Sequence, residues 1–228
     1  MRIQGFQKLT LLDYPGKVAC ILFTEGCNFR CPFCHNAALV SHVDPSARLC
    51  EEDVLRQLEK RRGILDGVCI TGGEPLLQKG LEELLARIKA MGYSVKLDTN
   101  GTFPDRLRAL VEAGLVDYVA MDVKNRREKY AQTAGLSTLA LQEIEKSLAF
   151  LLAGHVPFEL RTTVTAELHT VEDIAAIAEW IKGSPAYYLQ NFVDSGDLVG
   201  QGMSPVLKET LAAMQAAAEA RGVPTRVR

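Results

Sequence analysis

The stretch KVACILFTEGCNFRCPFCHN, from Lys17 to Asn36, decides the fold of this chain. Its first part, Val18 to Phe23, is an apolar run that predicts a buried strand. Three cysteines follow the run, at Cys27, Cys31 and Cys34. A cysteine-bearing loop therefore leaves the carboxyl end of a strand, which is where parallel α/β folds place their chemistry.

Three thiolates in so short a loop favour a soft metal ion or an iron–sulfur cluster. Structural zinc sites and simple electron-transfer clusters take four protein ligands, so three cysteines predict a cluster with one metal left open for chemistry. Zinc with His35 as the fourth ligand is an alternative, although His35 directly follows Cys34 and two adjacent side chains chelate one ion awkwardly. Disulfides are disfavoured, because six cysteines in 228 residues without a secretory signal indicate a reducing compartment.

The rest of the chain alternates short apolar runs with amphipathic helices. Residues 2–12 predict an edge strand, residues 36–49 an irregular segment, and residues 223–228 a terminal strand. Between them we count six β/α units, which is typical of an α/β fold with parallel strands, either a doubly wound sheet or a barrel. The length of 228 residues and the 47% hydrophobic content predict a single domain over residues 1–228.

Polar residues stand where several predicted strands end. They are Thr71-Gly72-Gly73-Glu74, Asp98-Thr99-Asn100-Gly101, and the pair Asp122 and Lys124. Arg161 lies inside an apolar strand, where an unpaired charge would be costly, so we expect it to face inward toward an anionic group. By contrast, His169 and the basic run Asn125–Lys129 are expected to be solvated.

Four motifs together resemble the radical S-adenosylmethionine (SAM) enzymes, and within them the activating enzymes of glycyl-radical proteins, above all those of anaerobic ribonucleoside-triphosphate reductase. The motifs are DYPGK at Asp13–Lys17, GCNFRCPFCHN at Gly26–Asn36, TGGEP at Thr71–Pro75 and DTNG at Asp98–Gly101. The resemblance implies an incompletely closed (β/α)6 barrel. It also implies a [4Fe-4S] cluster on Cys27, Cys31 and Cys34 that cleaves SAM to a 5′-deoxyadenosyl radical, which then takes a hydrogen atom from a glycine of the partner enzyme.

The same resemblance implies which residues contact SAM. It assigns Thr71, Gly72, Gly73 and Glu74 to the methionine end, Lys124 to the carboxylate, and Asp98 and Asp122 to the ribose or to a monovalent cation. The remaining predicted contacts are Phe33, His35, Thr99, Asn100, Arg161 and Gln190. Some relatives carry a histidine where this chain has Gln190-Asn191, which puts a histidine contact in doubt there.

The predicted partners are a glycyl-radical enzyme and a low-potential electron donor such as flavodoxin or ferredoxin. A net charge of -2 and a pI near 6.1 provide no basic field for nucleic acid or anionic lipid. No apolar run is long enough for a membrane span, so we expect a cytoplasmic protein. The alternatives are a radical SAM enzyme acting on a small molecule, such as a deazapurine-forming synthase, and a metal-binding protein without catalysis.

Overall fold

The computed structural model describes all residues from 1 to 228, in eight strands and eight α-helices. The strands are β1 (Ile3–Thr10), β2 (Ala19–Thr24), β3 (Gly67–Gly72), β4 (Ser94–Thr99), β5 (Tyr118–Asp122), β6 (Phe158–Val164), β7 (Tyr187–Asn191) and β8 (Thr225–Val227). The helices are α1 (Ala37–Val40), α2 (Glu51–Glu59), α3 (Leu81–Ala90), α4 (Pro104–Glu112), α5 (Tyr130–Thr133), α6 (Leu141–Leu152), α7 (Val171–Trp180) and α8 (Lys208–Glu219). Each strand from β2 to β7 is followed by a helix, so the six predicted β/α units are confirmed. No helix has both the length and the apolar character that crossing a membrane requires.

All eight strands belong to one sheet, and their order across the sheet is their order along the chain. Strand β1 is antiparallel to β2, whereas β2, β3 and β4 are parallel, as are β6, β7 and β8. A doubly wound sheet reverses its strand order part-way, and this sheet does not. The predicted α/β class is confirmed. Strand β1 is the edge strand predicted for residues 2–12, and β8 is the terminal strand predicted for residues 223–228.

The chain forms two compact units. The first unit contains residues 1–28, 38–99 and 105–119, and the second contains residues 29–37, 100–104 and 120–228. The boundary therefore passes through the cysteine loop and through β5. The single domain over residues 1–228 stays a prediction.

The first unit is built on the apolar faces that the sequence predicts. Helix α2 buries Val54, Leu55 and Leu58, and its first turn carries three acidic residues that complement the helix dipole. Helix α3 buries one stripe at a spacing of three and four residues, comprising Leu81, Leu84, Leu85 and Ile88. A further apolar cluster joins Tyr14, Ala19, Ile21 and Cys69. These contacts fix the strands that carry the first half of the site.

In the second unit, α7 begins with a capping box. The Thr170 side chain accepts a hydrogen bond from the backbone N–H of Asp173, and the Asp173 carboxylate accepts one from the backbone N–H of Thr170. The helix buries Ile174, Ile177 and Ala178. Removal of such a cap typically costs about 1 kcal/mol, so the start of α7 is firmly specified.

Residues 36–49 are more regular than predicted. They contain α1 and a 3-10 turn at Pro45–Ala47. The Asp44 side chain accepts a hydrogen bond from the backbone N–H of Ser46, at 2.9 Å, and Pro45 occupies the first position, where its missing N–H costs nothing. The expectation of an irregular segment was therefore wrong for α1 and for the 3-10 turn.

Candidate functional site

The cysteine loop begins in the first unit, where Glu25 anchors it. The Glu25 residue is 2% exposed, and its carboxylate accepts two hydrogen bonds from Arg48, from Nε at 2.7 Å and from Nη2 at 2.8 Å. The Glu25 carbonyl oxygen accepts a bond from Nε2 of Gln78 at 2.6 Å. Such paired, charge-assisted bonds fix direction as well as position. The backbone is therefore held in place shortly before Cys27.

The remainder of the loop, residues 29–37, lies in the second unit and is held by the segment Val199–Gly200. The backbone N–H of Gly200 donates to the carbonyl oxygen of Pro32 at 2.9 Å, and that of Val199 donates to the carbonyl oxygen of Cys34 at 3.3 Å. A side chain at position 200 would meet Pro32 at 2.6 Å, so glycine is needed there. The peptide groups around the last two motif cysteines are thus bonded to a segment distant in sequence.

All six cysteines are free thiols. Burial raises the pKa of Cys20 to about 12, and it raises the pKa of Cys69 as well, so both thiols stay protonated. Thiolates, not thiols, bind metals, so neither of these two is suited as a ligand. Cys31 is buried, while Cys27 and Cys34 are partly exposed on the loop. As a donor set, three loop thiols fit an iron–sulfur cluster.

The zinc alternative requires four ligands around one ion. No group of three or more histidine, cysteine, aspartate or glutamate side chains is arranged to hold a single metal ion. The ring of His35 instead packs against Phe192, with ring centroids 5.4 Å apart. The ligands of a four-iron cluster need not surround one point, because each thiolate binds a different iron.

The glycine pair at the end of β3 lies against the backbone that follows β2. The backbone N–H of Gly73 donates to the carbonyl oxygen of Thr24 at 2.9 Å, and that of Glu74 donates to the carbonyl oxygen of Gly26 at 2.8 Å. A Cβ atom at Gly73 would lie 1.9 Å from the Gly26 carbonyl oxygen, and one at Gly72 would lie 2.4 Å from Thr24. Both glycines are therefore required for this close approach of two strand ends.

Glu74 is completely buried. Its Oε1 accepts hydrogen bonds from the backbone N–H of Leu76 at 3.0 Å and from the hydroxyl of Thr99 at 2.9 Å. Two predicted site residues, Glu74 and Thr99, are thus brought together. Their bond ties the end of β3 to the end of β4, while Thr71 precedes the glycine pair on β3.

Strand β4 carries a buried ion pair that the motif analysis missed. Lys96 is 1% exposed, and its ammonium is bonded to the carboxylate of Asp98, a predicted site residue. Residues two apart on a strand point to the same face, so Lys96 and Asp98 share one side of the sheet. The signal was present in the sequence, as a lysine within an apolar strand and two positions before an acidic residue.

Asn100 folds the chain locally after β4. Its Oδ1 accepts hydrogen bonds from the backbone N–H of Thr102 at 3.0 Å and from the Thr102 hydroxyl at 2.6 Å. This is an Asx-type turn. The carbonyl oxygen of Gly101 also accepts a bond from Ser147 at 2.7 Å. The Asn100 side chain therefore has a structural task in this turn.

Asp122 at the end of β5 and Lys124 just after it form a charged group with Arg161 in the middle of β6. One oxygen of Asp122 accepts from Nε of Arg161 at 2.8 Å, and the other accepts from Nζ of Lys124 at 3.0 Å. Burial opposes the charge on Asp122, but the cations of Arg161 and Lys124 outweigh it and hold the pKa of that carboxyl well below its usual range. One carboxylate thus holds two cationic side chains together. The anionic partner expected for Arg161 is Asp122.

Phe33, the aromatic residue of the cysteine motif, packs in the second unit. Its ring meets that of His169 edge-on at a centroid distance of 6.3 Å, and Nζ of Lys124 lies 6.0 Å from its centroid. His169 is 3% exposed, so the expectation that it is solvated was wrong. The two predicted site residues Phe33 and Lys124 are thus neighbours. His169, which packs against Phe33, was not among the predicted site residues.

The remaining predicted residues have less defined surroundings. Gln190 lies on β7 in register with Thr163 and is partly exposed. The adjacent Asn191 side chain is used structurally, because it bonds both the N–H and the carbonyl oxygen of Val206 at 3.0 Å.

The basic run after β5 is paired rather than simply solvated. Lys129 bonds Asp173 at 2.6 Å, and Arg126 lies 3.0 Å from the same carboxylate. Arg127 pairs with Glu145 at 2.8 Å. These ion pairs attach the run to the helices of the second unit.

The sequence matches a known protein family. The family model described as the radical SAM superfamily matches residues 21–181, more than half of the chain. The chain belongs to the radical SAM superfamily. This membership agrees with the resemblance that its cysteine motif shows, and it makes the chain a radical SAM enzyme.

Three relatives of this radical SAM protein match different shares of its chain. A Methanocaldococcus jannaschii protein, provisionally named a glycyl-radical enzyme activating enzyme, is 33% identical over 83% of this chain and 79% of its own length. The pyruvate formate-lyase-activating enzyme of Staphylococcus aureus is 35% identical over 43% of this chain and 41% of its own. The GTP 3′,8-cyclase of Aquifex aeolicus is 40% identical over 47% of this chain and 35% of its own.

A solved structure shows the same fold. The crystal structure of a radical SAM methyltransferase from Sphaerobacter thermophilus superposes with a TM-score of 0.75 over 96% of this chain and 68% of the other. The identity is 14%, so this likeness concerns the fold alone. The predicted radical SAM fold is confirmed.

Proposed function

We propose that this radical SAM enzyme is an activating enzyme that forms a glycyl radical on a partner protein, with anaerobic ribonucleoside-triphosphate reductase as the partner. The observation that carries the proposal is the similarity to the M. jannaschii relative, which extends over most of both chains. A match confined to the cysteine motif would support the superfamily and no more. The extended match supports the activating-enzyme group.

In this proposal, Cys27, Cys31 and Cys34 hold a [4Fe-4S] cluster whose fourth iron binds SAM. When bound, these groups supply radical chemistry that removes a hydrogen atom from carbon. The chain orders the loop at two places: Glu25 fixes its start through Arg48, and the segment Val199–Gly200 bonds its second half. Each place is ordered by bonds within its own unit, which reduces the conformational freedom lost on binding.

The charged group at β5 and β6 suits the carboxylate of SAM. Lys124 and Arg161 both bond Asp122, which holds the two cationic side chains in place. A carboxylate gains most from such a preformed cation because no side chain must be reordered. Lys124 also lies beside Phe33 of the cysteine motif, which supports a shared site for cluster and cofactor.

The glycine pair of β3 contributes backbone groups at the methionine end. Because Gly72 and Gly73 have no side chains, this segment packs against the backbone of Thr24 and Gly26. Its carbonyl oxygens are acceptors suited to a ligand amine, and buried Glu74 holds the segment through its bonds to Leu76 and Thr99. Glu74 therefore acts on the cofactor by positioning this backbone. The other proposed contacts are Thr71, Asp98, Asn100, Gln190 and His35.

The proposal includes a low-potential electron donor, such as flavodoxin or ferredoxin, and a cytoplasmic location. Six cysteines without a disulfide are consistent with a reducing compartment. The net charge of -2 gives no reason to expect nucleic acid as the substrate.

A second candidate is a radical SAM enzyme that acts on a small molecule. The local similarity to the A. aeolicus GTP 3′,8-cyclase favours it, although that match covers 35% of the cyclase. The two candidates differ in one observable respect, since the small-molecule enzyme needs no protein substrate.

The test is anaerobic reconstitution of the enzyme, reduction, and incubation with SAM and an anaerobic ribonucleotide reductase from the same cell. We expect a carbon-centred doublet in the electron paramagnetic resonance spectrum and about one 5′-deoxyadenosine per radical, because a protein radical is stored rather than turned over. A Gly→Ala change at the partner's radical site should remove the doublet, and Cys50→Ala in this chain should leave it unchanged.

Other outcomes discriminate among the candidates. A doublet with another glycyl-radical enzyme, but not with the reductase, would retain the reaction and change the partner. Repeated turnover on a small molecule without any protein would favour the second candidate. Absence of SAM cleavage by an enzyme with a full cluster would contradict both.

A further inference from the structure

Lys96 is a buried charge that the motifs of this chain do not explain. It lies in β4 with 1% of its surface exposed, and its neighbour across the sheet is Cys69. Cys69 belongs to the apolar cluster with Tyr14 and Ile21, so the lysine stem lies beside apolar groups. An ammonium in such surroundings is tolerated when it is paired and bonded. The charge is therefore placed with a partner, which is Asp98.

The Lys96–Asp98 pair is preformed by the strand itself. The two residues are two positions apart, so the pleat directs both side chains to one face. The ammonium bonds one carboxylate oxygen of Asp98, whose side chain is 14% exposed. The pair has no net charge, and both of its members lie on β4.

The monovalent cation expected at Asp98 and Asp122 does not fit these surroundings. Asp98 is bonded to Lys96, and Asp122 is bonded to both Lys124 and Arg161. A metal cation that approached either carboxylate would meet a tethered positive charge within a few ångströms, and the two charges would repel each other in a poorly solvated site. Each carboxylate already has its counter-ion from the chain.

We propose that Lys96 is a built-in replacement for the monovalent cation, so that this chain binds SAM independently of sodium or potassium. The inference rests on the proposed function, because it concerns the SAM site. A free ion stabilises a site only as far as its concentration exceeds its dissociation constant, whereas a tethered ammonium is always present. Lys96 is a positioning residue: its ammonium holds the Asp98 carboxylate in place.

The experiment measures SAM binding to the reconstituted enzyme under argon by titration calorimetry. Three buffers of equal ionic strength contain potassium, sodium or tetramethylammonium, the last being too large to enter a carboxylate site. We expect the wild-type dissociation constants to agree within about twofold. In Lys96→Met, binding should weaken about tenfold in tetramethylammonium and recover in potassium or sodium. A wild-type affinity that rises about tenfold on adding an alkali cation would overturn the proposal.

Two further variants control the result. Lys89→Met removes a lysine of the same unit that pairs with Asp117, the residue before β5, at a distance of 2.6 Å. This variant should create no cation dependence. Lys96→Met combined with Asp98→Asn removes both charges, so no buried carboxylate is left unpaired and no cation site remains. Recovery by potassium in this double variant would contradict the assignment to Asp98.

A second readout separates this inference from the proposed function. The unfolding midpoint of Lys96→Met without SAM should rise in potassium relative to tetramethylammonium, while that of the wild type should not. If SAM fails to bind in every buffer, the proposed function is lost, but the midpoints still decide the role of Lys96. If SAM binds and Lys96→Met shows no cation dependence in either readout, the role of Lys96 is refuted and the proposed function stands.

Discussion

Nε2 of His169 lies 2.9 Å from the carbonyl oxygen of Lys124. The other ring nitrogen, Nδ1, accepts a hydrogen bond from the backbone N–H of Thr165 at 3.2 Å, so the proton belongs on Nε2, which donates to Lys124. A neutral imidazole satisfies both bonds, whereas a protonated one would lose the Nδ1 acceptor. The histidine thus connects the Lys124 backbone to the start of the loop after β6.

This arrangement predicts a loss of stability in mild acid. Burial lowers the pKa of His169 in the folded protein, so the unfolded chain takes up the proton more readily. The contribution of neutral His169 is complete above the ordinary histidine pKa of about 6.5 and is lost as pH falls from there toward the lower folded value. Urea unfolding at a series of pH values should show the free energy of unfolding falling over this window.

The control for that series is another histidine of the chain, His42. His169→Gln should reduce the slope below pH 6.5, at some cost in overall stability, while His42→Gln, at an exposed position, should leave the slope as it is. An equal slope in wild type and His169→Gln would show that other groups cause the acid sensitivity.

The motif cysteines should be separable from the other three by iron content. Alanine at Cys27, Cys31 or Cys34 leaves two thiolates and should abolish the cluster after reconstitution. Alanine at the remaining cysteines, which are Cys20, Cys50 and Cys69, should leave iron and sulfide near the wild-type amount. Loss of the cluster in Cys50→Ala alone would show that the ligand set is different.

Lys124→Met should weaken SAM binding without loss of the cluster. The change removes one of the two cations that bond Asp122. A charge-assisted bond to a carboxylate is worth about 1.5–3 kcal/mol, so the dissociation constant should rise roughly tenfold or more. Titration calorimetry under argon measures it. Lys182→Met, at an exposed position in the turn after α7, is the control and should bind as the wild type does.

Gly73→Ala should be strongly destabilising although it adds a single methyl group. The new Cβ would lie 1.9 Å from the Gly26 carbonyl oxygen, so the backbone of two strand ends must separate. Forced overpacking typically costs about 1–3 kcal/mol, and backbone atoms give way less easily than side chains. Gly5→Ala is the control, because its nearest neighbour is the Phe23 side chain at 3.2 Å. Equal thermal midpoints for the two variants would contradict this reasoning.

Features that depend on local pattern were predictable from the sequence. The stripe of α3 follows from the spacing of Leu81, Leu84, Leu85 and Ile88, and the polar strand ends follow from where apolar runs stop. The Asx turn at Asn100 is likewise a local preference. The family follows from the spacing of three cysteines, since that chemistry needs few residues close together.

Features that depend on tertiary partners were not predictable. His169 was expected to be solvated because nothing in its neighbourhood reveals that Phe33, far away in sequence, covers it. Lys129 finds Asp173 in the same way, 44 positions later. Lys96 lies within a predicted strand, but the sequence does not show that its charge is buried and needs a partner.

The bonds from Val199 and Gly200 to the cysteine loop have a consequence for the order of events in biosynthesis. A ribosome makes those two residues long after the loop, with a delay on the order of ten seconds at typical elongation rates. Until then the second half of the loop lacks the bonds from Val199 and Gly200. The nascent chain therefore presents its three thiols in an unfinished setting, and a correctly seated cluster must wait until these two residues have been made.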